Sequence, residues 1–154
     1  MSYWLLKSEP DEFSIDDLKR KKVEPWDGIR NYQARNFLRK MAIGDLAFFY
    51  HSSCKNIGIV GIMEIVATHY EDPLAINSDS AYFDKKAVEK NPWSAVDVQF
   101  KQKFTEILSL ATLKNLANSD QRLADLVLLK KGNRLSVMPI TDDQWQCIME
   151  NTAP

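Results

Sequence analysis

Two cysteines, Cys54 and Cys147, and two histidines, His51 and His69, are all that this chain of 154 residues offers in soft ligands. Thiols so far apart in sequence make no disulfide framework, and reduced cysteines account for them. His51-x-x-Cys54 is one tight ligand pair where a structural zinc site shows two, so no metal is expected. Cys54 with His51 as its base is no better placed for nucleophilic catalysis, because the base ordinarily arrives from elsewhere in the fold. Glycine is scarce too, five in all, and neither GxxxxGK[ST] nor GxGxxG occurs, which argues against an ATPase or a dinucleotide enzyme; no cofactor is expected. An excess of one charge is also missing. The formal net charge is -1 and the pI about 6.1, which excludes a protein that coats nucleic acid through bulk electrostatics, so any nucleic-acid contact must be local.

Met1 to Lys7 is too short and too soon interrupted by charge for a signal peptide, and no apolar run reaches membrane-spanning length. The expectation is a soluble, cytoplasmic protein with no membrane partner. Its length suits one domain over residues 1–154, since neither a repeat, a low-complexity tract nor a linker interrupts it. Basic residues cluster at Lys19-Arg20-Lys21-Lys22, at Arg35, Arg39 and Lys40, and at Lys130-Lys131 with Arg134. Each makes a local cationic patch available, although a solvated surface explains such a cluster equally well.

In chain order, Tyr3 to Lys7 reads as an edge or terminal strand ended by Ser8-Glu9-Pro10. Ser14 with Asp17 is a capping pair for a short helix. Asp27-Gly28 is a turn, and Asn31 caps a helix whose Ala34, Phe37, Leu38 and Met41 share a face, with a stop at Ile43-Gly44. Leu46 to His51 is a strand apolar on both faces. Ile57 to Tyr70 is a long β run bent at Gly58 and Gly61, pairing with the strand before it. Asp72-Pro73 turns a loop, and Tyr82-Phe83-Asp84 reads as a short edge strand. From Trp93 to Phe100 the alternation is clear, with Val96, Val98 and Phe100 on one face. Thr112 to Asn118 is helical, Leu135 to Met138 is a last strand, and Thr141 with Gln144 caps a helix whose Trp145, Ile148 and Met149 face the core. Strands of mixed length, glycine bends and peripheral helices predict an α+β fold, a curved β-barrel with short flanking helices.

Aromatic side chains are the positive signal. Most must be core, but Trp26 stands in a polar turn outside any apolar periodicity, just before a helix N-terminus. Arg35 and Arg39 share a face of that helix that is not the apolar one. A flat π surface beside exposed N–H donors and cations suits a planar, polar, negatively charged ligand such as a nucleotide.

Four strings, Tyr3-Trp4-Leu5-Leu6-Lys7-Ser8-Glu9-Pro10, the run from Trp26 to Asn36 (WDGIRNYQARN), Phe48-Phe49-Tyr50-His51-Ser52 and Trp93-Ser94-Ala95-Val96-Asp97-Val98, resemble the EVE domain of the thymocyte nuclear protein family, nearly end to end. The resemblance implies a PUA-like fold related to YTH and ASCH domains, and a reader of modified bases in DNA or RNA with no established enzymatic activity. On that footing Trp26 is a wall of an aromatic pocket stacking on an extruded base. Ser8, Asn31 and Ser52 read its edge, Lys7, Arg30 and Arg35 meet phosphate, and Tyr50, His51, Trp93 and Asp97 line the same cleft from strand ends. Asn31 is equally explained as a helix cap and Asp97 as a structural hydrogen-bond acceptor. Two other functions stay open: an enzyme on nucleic acid or a nucleotide with His51 and Asp97 as acid and base, and a peptide-binding cleft.

Overall fold

The computed structural model describes residues 1–153. Six strands, β1 (Tyr3–Ser8), β2 (Val23–Trp26), β3 (Leu46–His51), β4 (Gly58–Glu71), β5 (Ser94–Ser109) and β6 (Val137–Ile140), form one sheet in the order β2-β5-β4-β3-β1-β6. Only β1 and β3 run parallel; the other neighbours are antiparallel.

Two helices, α1 (Ile15–Lys21) and α2 (Tyr32–Lys40), cover one face. There Trp4, Leu6, Phe49, Met63 and Val98 pack with Leu18, Ala34 and Leu38. Two more, α3 (Leu110–Ser119) and α4 (Asp142–Glu150), cover the other, where Leu5, Phe48, Ile62 and Met138 meet Leu113, Trp145 and Ile148. Period-two alternation therefore sends successive residues of β1 and β3 into different cores. This is why Leu5, Leu6, Phe48 and Phe49 are all fully buried.

The fold is α+β as expected, but the sheet does not close into a barrel. Its end strands β2 and β6 do not pair, and closure would require them to. Helices on both faces bury the sheet without it. Curvature is nevertheless present where β4 and β5 shift register between Ile59 and Gly61. A Cβ at Gly58 or Gly61 would lie 2.3 Å from the carbonyl oxygen of Leu108 or Gln102, so only glycine permits that approach.

Several boundaries differ from expectation. β1 lies between β3 and β6, so it is an interior strand and not an edge. Edge position falls to β2, where Pro25 lacks the donor that a second neighbour would need. Helix α2 ends at Lys40, because Met41 is already extended. Gly44, with φ of +97°, instead makes the turn into β3. That turn is held by the buried Asp45 carboxylate, which accepts from Trp4 Nε1 (2.9 Å), Ser2 N (3.0 Å) and Ala42 N (2.9 Å). β5 runs on to Ser109, its later half too polar and too bulged to keep a readable alternation. Residues 82–84 form no strand. They lead into a 3-10 turn, Lys85–Val88, capped by Asp84, and this loop has its own small core of Ala75, Ala87 and Trp93.

Candidate nucleic-acid interface

At the end of β2 the chain turns sharply. Gly28 sits at φ of +76°, and a Cβ there would come within 3.1 Å of the Tyr82 ring. The ring therefore lies directly on the glycine, as the absence of a side chain allows. The turn is pinned from the loop that follows β4. Asp72, fully buried, accepts from Gly28 N (2.8 Å) and Arg30 Nη1 (2.9 Å) on one oxygen and from Leu74 N (2.8 Å) on the other. Arg30 also donates from Nε (2.9 Å) and Nη2 (2.7 Å) to the Tyr82 carbonyl. One ion pair, between the buried Asp72 and the half-buried Arg30, thus holds the Asp27-Gly28 turn and the Tyr82 ring against each other.

Beside them opens a cavity of about 560 Å³, within the range of small-ligand sites. Trp26 and Phe13 line it. Trp26 is not the exposed turn residue that its polar neighbours suggested: it ends β2, is 6% exposed, and packs edge-on against Phe13 (6.3 Å) and Phe49 (5.3 Å). Lys7, Ser8 and Ser52 lie in the same lining. Ser8 donates to the Phe13 carbonyl (2.7 Å), and its own carbonyl accepts from Ser52 N (3.0 Å). The Ser52 hydroxyl has no partner among the described residues. Burial pulls the Lys7 ammonium pKa below its ordinary value, and the ammonium lies 5.7 Å from the Tyr50 ring centre.

Carboxylates dominate the lining. Glu9, Glu12, Glu24 and Asp27 face only Lys7 and Arg134 as cations. Glu12 accepts from the Tyr82 hydroxyl, and Glu24 pairs with Lys21 at 2.9 Å. Burial first, and the neighbouring Asp72 second, push the Asp27 carboxyl up to about 6. Such a lining repels phosphate and presents acceptors to a ligand rich in N–H donors.

The remaining residues anticipated for the site are not brought to this cavity. Tyr50 is 2% exposed in the core of the opposite sheet face, where burial raises its phenol to about 12. His51 Nε2 accepts from Ile15 N (3.1 Å) at the start of α1, and burial lowers its pKa, so the ring is a neutral acceptor there. Trp93 Nε1 donates to Asp84 (2.8 Å) and its ring stacks on Tyr32 (4.7 Å). Asp97 accepts from the Tyr70 hydroxyl. Arg35 donates to the Pro92 carbonyl (3.1 Å), which Arg39 also reaches (2.9 Å). Both guanidiniums thus clamp the start of β5 to α2, while Arg30 is fully engaged with Asp72 and Tyr82. Asn31 caps α2 by accepting from Ala34 N (2.9 Å) and lines a second, adjacent cavity of about 520 Å³ with Gln33, Phe37, Lys130, Lys131, Asn133 and Arg134.

Sequence reasoning missed Asp27, Asp72, Phe13 and Tyr82, and it placed Arg134 only within a cluster of basic residues. The Asp27-Gly28 pair was read only as a turn signal, and Asp72 only as the residue before a proline. The fully engaged donors of Arg30 are what reveal Asp72, and they exist only in three dimensions. Among the described residues no three His, Cys, Asp or Glu side chains group as a metal set, and no helix is long and apolar enough to cross a membrane.

The EVE domain profile matches residues 2–151. Human thymocyte nuclear protein 1 is 42% identical over 164 residues, spanning 96% of this chain and 72% of that protein. A crystal structure from Pseudomonas syringae is 57% identical, with a TM-score of 0.92 over 97% of this chain and 98% of that one. The crystal structure of human THYN1 protein in complex with 5-methylcytosine-containing DNA superimposes with a TM-score of 0.92 at 39% identity, covering both chains fully. These names correct the cytoplasmic expectation: the vertebrate relatives are called nuclear proteins. With its sequence matched almost end to end and its sheet and helices superimposed over the same span, the chain belongs to the EVE domain family.

Proposed function

We infer that this chain is a non-enzymatic module that takes a modified base of DNA, with methylated cytosine as the leading candidate, out of its stack and into the cavity beside Trp26. The acceptor-rich lining of that cavity carries the reading. A cytosine edge presents an exocyclic amino donor that a carboxylate accepts, and Asp27 is the half-buried carboxylate available for it. Trp26 and Phe13 offer apolar surface for a ring and its methyl group, and the unpartnered Ser52 hydroxyl offers a further donor or acceptor. The DNA complex of a relative 39% identical supports the ligand class. The reading treats residues 1–154 as one such domain, which the span of the family profile supports.

Extrusion costs a few kcal/mol, less for a weakened pair, and the cavity must return it through stacking and edge contacts. None of these steps needs an acid–base pair. His51 and Asp97, the pair an enzyme reading would use, are held apart by separate structural bonds to Ile15 and Tyr70. The test is binding of fluorescent oligonucleotides identical except for one cytosine or 5-methylcytosine, in DNA and in RNA, followed by mass spectrometry of the recovered nucleic acid. Tighter binding of the methylated DNA with no change in its mass is expected. Equal affinity for both bases, or a product of altered mass, overturns the reading.

A further inference from the structure

The base cavity has too many carboxylates to hold the phosphates on either side of an inserted base, so a backbone-binding surface must lie elsewhere. The second cavity shares a wall with the first. Gly28 and Ile29 line the base cavity and Asn31 the second one; on the other segment of that wall Arg134 lines both, Leu135 the second and Ser136 the first. The two hollows are thus adjacent sides of the same pair of segments.

Their charges are opposite. The second cavity is lined by Lys130, Lys131 and Arg134 and by no acidic residue. None of these three cations has an ion-pair partner among the described residues, whereas Arg30 and Arg122 are held by carboxylates. Asn133, in the same lining, gives its carbonyl oxygen to Leu135 N (3.0 Å), and its amide nitrogen is buried without a partner. Asn31 and Gln33 bring the N-terminal end of α2 to this cavity, and the positive end of a helix favours an anion.

We propose that the cavity between the start of α2 and the Lys130–Leu135 loop binds the sugar–phosphate backbone beside the extruded base, with Lys130, Lys131 and Arg134 as its phosphate contacts. The proposal rests on the base-reading function. Arg134 is the hinge of the arrangement, because it lines both hollows and so can meet the phosphate of the inserted nucleotide. Lys130 and Lys131 follow the backbone away from it. Contacts of this kind position DNA without reading its sequence and release counterions when they form.

The experiment is a salt titration of binding to the cytosine and 5-methylcytosine DNA oligonucleotides with the K130E/K131E protein. Both lysines are exposed, so the reversal leaves the core intact, and K130A/K131A is the fallback if thermal melting shows otherwise. A K19E/K90E protein, altered by the same charge at positions lining neither cavity, is the control. Expected is a loss of at least about tenfold, equal for both oligonucleotides, with the slope of log affinity against log salt shallower by about 2 for two lost phosphate contacts. An unchanged slope, or an equal loss in K19E/K90E, overturns the proposal. Loss of methyl preference at an unchanged slope also overturns it, because the cavity would then be reading the base. If the unaltered protein binds both oligonucleotides equally, the base-reading function fails, and the slope still decides whether the backbone is held here.

Discussion

The two cavities that share the wall of segments 28–31 and 134–136 are built from similar backbone and opposite charge. One is a hollow of about 560 Å³ with four carboxylates around three aromatic side chains; the other, of about 520 Å³, carries three cations and no acid. A nucleotide divides its chemistry in the same way, into a neutral donor-bearing base and an anionic backbone. A cation in a signature string can also be engaged wholly within the protein. Arg30 and Arg35, the two cations of the string from Trp26 to Asn36, are committed to carboxylate and carbonyl oxygens. The unpaired cations of the second cavity lie on a loop about a hundred residues later.

The hardest way to break the contrast is to remove the frame of the acidic cavity. Arg30→Ala leaves Asp72 buried without its counter-charge and should cost about 3–5 kcal/mol in stability, read from denaturant unfolding. A cost under about 1 kcal/mol would mean that the Asp72 pair does not hold the Gly28 turn.

Asp27→Asn should act in the opposite sense on stability while weakening binding. The folded carboxyl, at about 6, holds its proton more tightly than the ordinary value of 3.8. Its contribution to stability is therefore fully present below about pH 4 and is lost as pH rises through 6. With a discount for the cavity's access to solvent, the amide should gain about 1–2 kcal/mol at pH 7 and flatten that slope. It should also weaken binding of the cytosine and 5-methylcytosine oligonucleotides alike, since the amide presents a weaker acceptor to the amino group that both bases carry. A difference in unfolding free energy between wild type and Asp27→Asn that does not change between pH 4 and 7 would remove Asp27 as the distinctive group of this cavity.

Arg35→Ala sharpens the comparison from outside both cavities. Loss of its bond to the Pro92 carbonyl should cost about 1 kcal/mol, and the salt slope of DNA binding should stay at the wild-type value. A shallower slope would return Arg35 to the phosphate surface.

The smallest effect is expected from His51→Gln, within about 1 kcal/mol at pH 7.5, because the glutamine carbonyl can still accept from Ile15 N. The histidine's folded pKa lies below 6.5. Its stabilising acceptor bond is therefore fully present above pH 6.5 and lost as pH falls below it. The variant should lack that acid-side decline, as thermal melts across pH 5 to 7.5 would show.

How much of this was legible depended on how local the cause was. Both capping boxes, the Asn31 cap, the doubly apolar β3 and the glycine bends in β4 could be read from neighbouring residues, and each is present. Trp26 could not. A polar turn follows it, but its ring is directed into a core supplied by Phe49 and Phe13 from other elements. The interior position of β1 was equally hidden, because its neighbours are β3 and the far C-terminal β6.

Caps, periods and close approaches are decided within a few residues of chain, by donor geometry and side-chain spacing, and these the sequence by itself determined. Its signature strings also determined the family. Only the tertiary structure decided whether the sheet closes, which cations are left unpaired, and which carboxylate is half-buried beside another. Each of these depends on partners distant in sequence, and a charge acquires its role from the field and the burial that those partners create.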